Sequence, residues 1–139
     1  MSNFLRSHLF AILFAGGSGL ILAGCQPTTK TAPVTGIVTV NDEPVKIGVI
    51  AFEPTNPSTA SASAEIRDGR FTIQSPVGRR RISIMAYRQA KGLGPDGKPY
   101  QEQYLPAKFN LNSDRWLEVG TAPLTDQKIE LSIPKKATK

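Results

Sequence analysis

Cys25 is the only cysteine of the 139-residue chain, and it is the residue whose chemistry the sequence singles out. It follows Leu22-Ala23-Gly24 at the end of an apolar run and precedes the polar segment Gln26 to Lys30. A cysteine thiolate is a strong nucleophile, so reactive chemistry is expected at this one position. A lone cysteine permits neither an intramolecular disulfide nor a cysteine-rich zinc site. Cys25 is therefore a candidate for covalent modification.

The rest of the chain offers little that suits catalysis. The one histidine, His8, precedes Cys25, so residues 26–139 contain no Ser-His-Asp or Cys-His arrangement and no histidine-based metal site. The carboxylates favour turn-forming and solvated roles over a glycosidase pair, and no loop is rich enough in aspartate for calcium. These carboxylates are Asp42, Glu43, Asp68, Asp114 and Glu118. We expect a protein that is not an enzyme and binds no metal or cofactor.

Three consecutive arginines, Arg79, Arg80 and Arg81, are the most concentrated charge in the second half of the chain. Arginine makes paired hydrogen bonds to phosphate, sulfate and uronate groups, so the triplet could bind an anionic polymer. The alternative is a charged start to an edge strand, which would keep that strand from pairing with other chains. The sequence favours the second interpretation.

A second candidate for binding is the segment Gln89 to Tyr104, which carries Tyr100 and Tyr104 among lysines and glycines. It shows no periodicity up to Pro99, so we expect a long irregular loop. Such loops often carry binding residues, and an aromatic side chain beside amides and lysines suits sugar or peptide contact. By contrast, Tyr87, Phe109 and Trp116 are predicted to lie in the core.

The formal net charge of +6 raises the question of a nucleic-acid partner. The basic residues are scattered, however, and eleven acidic residues lie among them. A mildly basic solvated surface explains this composition more simply, so we expect no nucleic-acid partner.

Residues 1–24 have the pattern of a targeting segment. Arg6 supplies a positive start, and an apolar run extends from Leu9 to Ala15 before glycines interrupt it. The alternative is a transmembrane helix. From Leu9 to Gly24 the run is shorter than the roughly 20 residues that a bilayer core requires, and its glycines disfavour helix. A secretory signal is the better interpretation.

The four residues Leu22 to Cys25 resemble the lipobox of bacterial lipoproteins. The resemblance implies cleavage before Cys25, a diacylglyceryl group on its thiol, and acylation of the new amino terminus. Two or three acyl chains anchor a protein stably, because each buried CH2 contributes about 0.8 kcal/mol. Gln26 is not aspartate, which by analogy with diderm bacteria favours the outer membrane over the inner one.

Beyond Cys25 we predict a lipidated tether over residues 25–33, a β-domain over 34–134 and a basic tail over 135–139. The tether is polar and bracketed by prolines, which favours an extended chain. From Val34 onward, short alternating runs are separated by turn signals at about ten-residue spacing. No amphipathic helix is evident. This pattern predicts an all-β domain, an antiparallel sandwich or barrel of about seven strands.

Four short motifs then follow one another along the chain: Gly36-x-Val38-x-Val40, Asn41-Asp42-x-Pro44, Asp68-Gly69-Arg70-Phe71 and Leu105-Pro106-Ala107-Lys108-Phe109. Together they resemble the transthyretin-like or carboxypeptidase-regulatory-like lipoproteins of planctomycete-type bacteria. Glu43 departs from the pattern, where glycine is more usual. The resemblance implies a prealbumin-like β-sandwich, and a fold alone assigns no activity.

We therefore expect a lipid-anchored cell-envelope protein that displays a non-catalytic β-sandwich as a structural or binding module. The membrane would be its partner through Cys25. The alternative is a subunit that binds an anionic envelope polysaccharide or another envelope protein. In that case Arg79 to Arg81 and the segment Gln89 to Tyr104 would form the binding surface.

Overall fold

Residues 29 to 134 are the part of the chain that the computed structural model describes. They form nine strands and one 3-10 turn. The elements are β1 (Thr31–Val40), β2 (Glu43–Pro44), β3 (Ile47–Pro54), β4 (Ala62–Arg67), β5 (Arg70–Pro76), β6 (Gly78–Leu93), β7 (Pro99–Gln103), η1 (Ala107–Phe109), β8 (Trp116–Val119) and β9 (Leu124–Leu131). The predicted signal peptide, Cys25 and the basic tail of residues 135–139 lie outside the described residues.

One hydrogen-bonded sheet contains all nine strands. Its main path runs β2-β1-β5-β4-β3-β6-β7, with β8 added to β6 and β9 added to β1. The pairs are antiparallel except for β1 with β9. β4 and β5 share a single register pair, Arg67 with Arg70, and the sheet curls into a half-barrel. The all-β, largely antiparallel prediction is confirmed.

The core follows the period-two pattern of the strands. In β1 the side chains of Ala32, Val34 and Val38 are fully buried, and the residues that point to the opposite face of the strand are more exposed. Phe52 of β3 meets Phe71 of β5 edge to face, with ring centroids 6.4 Å apart. Because β3 and β5 do not pair, this contact joins the two halves of the curled sheet. Aromatic pairs of this geometry add about 0.5–1.5 kcal/mol beyond their buried area.

The predicted turns form where the sequence places turn chemistry. Asn41 and Asp42 both have positive φ, 50° and 70°, which a two-residue hairpin requires. Asp68 and Gly69 also have positive φ, 48° and 80°, and form the two-residue turn between β4 and β5. The Asn41 side chain also exchanges two hydrogen bonds with the backbone of Ile133, at 3.1 and 3.0 Å. The first turn therefore also holds the end of the described chain against β1.

The predicted boundary between the tether and the β-domain differs from the structure. β1 begins at Thr31, so residues 31–33 belong to the sheet and not to the tether, and Ala32 is fully buried. Pro33 pairs with β5 alone, because β9 joins β1 only from Val34 onward. Proline is tolerated where one side of a strand is free. Pro33 is therefore compatible with its place in β1.

The predicted irregular loop is largely a hairpin. β6 continues to Leu93, and β7 (Pro99–Gln103) folds back along it, with Tyr87 opposite Gln103 and Leu93 opposite Pro99. The register shifts between Gln89 and Leu93, and this irregularity hides the alternation in the sequence. This hairpin and the two-residue β2 raise the strand count above the predicted seven.

Gly36 allows β1 to lie closely between its neighbours. A Cβ atom at this position would lie 2.8 Å from the Phe71 ring and closer still to the carbonyl oxygen of Gln127 in β9. At Gly120, a Cβ atom would meet nothing within 4 Å. An alanine at Gly120 is therefore a suitable control for an alanine at the crowded position Gly36.

We expect Gly36→Ala to lower the free energy of unfolding by about 1–3 kcal/mol, because it overpacks the core between β5 and β9. Gly120→Ala should leave it unchanged or raise it by about 0.4–1 kcal/mol, by reducing the entropy of the unfolded chain. Urea unfolding of the two variants beside the parent protein measures both values. Equal effects of the two substitutions would contradict the tight packing of β1.

Candidate functional site

Arg80 does not belong to a ligand-binding cluster. The alternation of β6 turns it inward, and only 2% of the residue is exposed. Each guanidinium nitrogen donates a hydrogen bond to a backbone carbonyl, on Pro76 (2.9 Å), Ala60 (3.1 Å) and Val77 (2.8 Å). The prediction that Arg80 contributes to ligand binding is therefore wrong. Its donors are already occupied by the protein.

Arg79 and Arg81 lie on the outer face of the same strand. Arg81 donates to the Glu53 carboxylate of β3, its direct neighbour in the register, at 2.9 Å through Nε. The Arg79 guanidinium lies 4.7 Å from the ring centroid of Trp116. The triplet therefore divides among three different partners and offers no single anion site.

The alternative interpretation of the triplet, a charged edge strand, is also wrong. At Arg80 and Arg81, β6 lies between β3 and β8 and has a hydrogen-bonded neighbour on each side. Trp116 is the residue of β8 that lies opposite Arg81. It is 40% exposed, so the prediction that it is a core residue is wrong. Leu117 and Val119, which point to the opposite face of β8, pack against the core instead.

The two predicted tyrosines lie in different surroundings. Tyr100 of β7 is 47% exposed, and its carbonyl accepts a hydrogen bond from the Gln89 amide at 3.0 Å. Tyr104, just after β7, is half-buried, and the Arg88 guanidinium lies 5.3 Å from its ring centroid. Tyr104 lines a groove beside the β6–β7 hairpin, whereas Tyr100 is not among the residues that line this groove.

This groove, of about 620 Å³, lies where the β1–β2 turn, the start of β3 and the β6–β7 hairpin meet. We call it the distal groove. Its lining residues are Val40, Asn41, Glu43, Pro44, Lys46, Ile47, Tyr87, Arg88, Gln89, Gln101, Tyr104 and Ile133. The surface is mixed, with aliphatic and aromatic side chains beside amides and charges. Binding grooves commonly combine these side chains.

Two of the three charged residues that line the distal groove, Lys46 and Arg88, form ion pairs. Arg88 bonds the Glu102 carboxylate at 2.8 Å, and Lys46 bonds Asp68 at 3.4 Å. Burial is the main reason that the pKa of Tyr104 is raised above its usual value, and the Glu43 charge adds to this while Arg88 opposes it. The Tyr104 phenol therefore remains protonated to higher pH than a free phenol. It stays a hydrogen-bond donor to a ligand at neutral pH.

The distal groove and the arginine triplet are far apart. In the β3–β6 register, Glu53 lies opposite Arg81 and Ile47 lies opposite Tyr87, six residues further along. At about 3.3 Å per residue, this separates the two regions by roughly 20 Å. The two regions therefore do not form one compact site.

Sequence reasoning missed Lys46, Ile47 and Arg88 in the groove and placed Tyr87 in the core. Their proximity depends on the pairing of β3 with β6, which no local pattern reveals. Within residues 29–134, no three His, Cys, Asp or Glu side chains cluster so that they could hold a metal ion. In the same part of the chain, no helix is long and apolar enough to cross a membrane.

Comparison with known proteins gives little. No protein-family model matches the chain, and no curated protein matches it. Among solved structures, a 9R-lipoxygenase from Cyanothece PCC8801 aligns with a TM-score of 0.36 and 15% identity. The alignment covers 76% of this chain and 17% of that chain. A likeness this weak carries no argument about fold or function.

We expect Arg80→Ala to lower the free energy of unfolding by about 3 kcal/mol, because it leaves three carbonyl oxygens without their charged donor. The matched variant Arg79→Ala removes the neighbouring exposed arginine and should cost no more than about 1 kcal/mol. Thermal or urea unfolding of both variants tests the difference. A small effect of Arg80→Ala would argue against a structural role for this arginine.

Proposed function

We propose that this chain is a lipid-anchored cell-envelope protein that displays a non-catalytic, prealbumin-like β-sandwich as a binding module. The anchor is the thioether-linked lipid on Cys25, and the membrane is the partner that it engages. Gln26 after the anchor favours the outer membrane in a diderm cell. The lipobox-like Leu22 to Cys25 supports the anchor.

The sandwich is supported by how the sheet is divided. Only Arg67 and Arg70 are paired between β4 and β5, so the hydrogen-bonded ladder between these two strands ends at their hairpin. In the proposed sandwich, β9, β1 and β5 would form one layer, and β4, β3, β6 and β8 would form the other. The edge-to-face contact of Phe52 with Phe71 would then lie between the two layers, which supports the proposal.

One observation carries the idea of display: the chain enters the domain at the end opposite to the distal groove. Thr31 pairs with Pro76 at one end of β1, whereas Val40 lines the groove at the other end. Nine residues of strand separate them, which is about 30 Å. A lipid on Cys25, five residues before Lys30, would therefore hold the domain with its groove directed away from the membrane.

A second candidate function is binding of an anionic envelope polysaccharide, or of a partner protein, in the distal groove. The favouring observation is the lining itself. Tyr87 and Tyr104 provide aromatic surface, Gln89 and Gln101 provide amides, and Arg88 provides a cation. Sugars are bound by aromatic faces together with amide hydrogen bonds, and uronate groups by arginine. The arginine triplet has no part in this version of the alternative.

Mass measurement of the mature protein tests the anchor. We expect a chain that begins at Cys25 and carries a diacylglyceryl group, and it should fractionate with membranes. Cys25→Ser should abolish the modification, because serine provides no thiolate. Gln26→Asp is the control that should remain lipidated. An unlipidated parent protein that begins elsewhere than Cys25 would overturn the proposal.

Binding to a polyuronate such as alginate tests the second candidate. Tyr104→Ala and Arg88→Ala should each weaken binding by about tenfold, a loss of about 1.4 kcal/mol, and added salt should weaken it in the parent protein. Arg81→Ala is the matched control, because it removes an arginine from the far end of β6. Equal losses in Arg81→Ala and Arg88→Ala would mean that net charge, and not the groove, determines binding.

A further inference from the structure

We propose that the end of the domain where the chain enters lies against an anionic lipid surface, with Trp116 and Arg79 in contact with the headgroups. We call this end the tether end. The inference rests on the proposed anchor at Cys25 and goes beyond it, because an anchor alone does not require the folded domain to touch the membrane. Four properties of the tether end favour this contact: its position, its charge, its side chains and its reach.

The tether end is a well-defined surface. The Lys30 carbonyl accepts a hydrogen bond from the Val77 amide at 3.0 Å, so the incoming chain lies beside the β5–β6 turn. Arg80 links that turn to the β3–β4 loop through the carbonyls of Pro76 and Ala60. Gly78 pairs with Val119, which places the start of the β8–β9 loop at the same end.

The loops of the tether end contain no carboxylate. The β3–β4 loop reads T-N-P-S-T-A-S over residues 55–61, the β5–β6 turn is Val77, and the β8–β9 loop reads G-T-A-P over 120–123. The loops at the groove end carry Asp42, Asp68 and Asp96 among their charges. An anionic lipid surface attracts nearby arginine and lysine and repels carboxylates. The tether end is therefore the end that such a surface accepts.

The strands beside these loops contain three carboxylates, Glu53, Glu118 and Asp126, and Asp126 is exposed. Glu53 is neutralised by its ion pair with Arg81. Glu118 lies opposite Arg79 in the β6–β8 register, so its charge faces a cation of the neighbouring strand. Lys30 is exposed at the point where the chain enters the domain.

Trp116 has the chemistry of a membrane-interface residue. It is 40% exposed on the outer face of β8, where it adds nothing to the core. Tryptophan is enriched at the headgroup level of membranes, because its ring is apolar and its N–H seeks a polar partner. The Arg79 guanidinium, 4.7 Å from the ring centroid, is positioned to bind a lipid phosphate beside it.

The tether is short enough to bring this surface to the membrane. Cys25 and Lys30 are five residues apart, so even a fully extended chain spans no more than about 18 Å. Trp116 pairs with Arg81, three residues along β6 from Gly78, which is about 10 Å from the end of the strand. A modest tilt of the anchored domain therefore brings Trp116 to the headgroups.

Trp116 is the only tryptophan in the chain, so its fluorescence reports on this surface without any engineered probe. The full lipidated protein is reconstituted in vesicles of phosphatidylcholine and brominated phosphatidylglycerol in about equal parts. We expect a loss of Trp116 fluorescence relative to unbrominated vesicles of the same composition, because bromine quenches only at contact. Arg79→Glu should reduce the quenching, whereas Lys46→Glu, the same charge change at the groove end, should not.

The outcomes separate the two proposals. If the lipidated protein floats with the vesicles but brominated lipid does not quench Trp116, the membrane contact is overturned and the anchor remains. Equal losses in Arg79→Glu and Lys46→Glu would also overturn the contact, since net charge would then explain the result. If mass measurement finds no lipid on Cys25, both proposals are overturned.

Discussion

The buried guanidinium of Arg80 is the contact on which one end of the domain depends. None of the ion pairs found within residues 29–134 includes it, so three backbone carbonyls solvate a charge that water no longer reaches. Removing an ion from water costs several kcal/mol, and only well-aligned hydrogen bonds offset that cost. The carbonyls of Pro76, Val77 and Ala60 belong to two separate connections. All three guanidinium nitrogens have an acceptor only when the β3–β4 loop and the β5–β6 turn are both folded. The buried charge therefore couples the folding of this loop to that of this turn.

Strand β6 connects the end of the domain that contains Arg80 to the end that contains the distal groove. Its sixteen residues pair with β3 on one side, and with β8 and then β7 on the other. The strand begins beside the buried Arg80 and ends in the hairpin that borders the distal groove. The two ends therefore keep a fixed separation, although they carry different chemistry. One end has uncharged loops near an exposed tryptophan, and the other has a mixed groove in which two of the three lining charges form ion pairs.

The sequence predicted what depends on local chemistry. The turns at Asn41-Asp42 and Asp68-Gly69 follow from residues that tolerate positive φ, and the all-β class follows from alternation. Arg80 could have been identified by the same alternation, because it shares parity with the buried Ile82 and Ile84. Trp116 could not, since a one-residue change of register moves a side chain from the core to solvent. The groove was beyond prediction as well, because it exists only when β3, β6 and β7 are paired.

The length of the connection before β1 decides whether these two ends can have separate roles. In a chain anchored at Cys25, the connection to Lys30 reaches at most about 18 Å, which is less than the roughly 30 Å from Thr31 to Val40. The domain can tilt on such a tether, but it cannot turn its groove toward the bilayer without drawing its first strand out of the sheet. Ala32 is fully buried and residues 31–33 are paired with β5, so that movement would expose core. In a chain anchored at Cys25, the early start of β1 would therefore shorten the tether and limit the orientations of the domain.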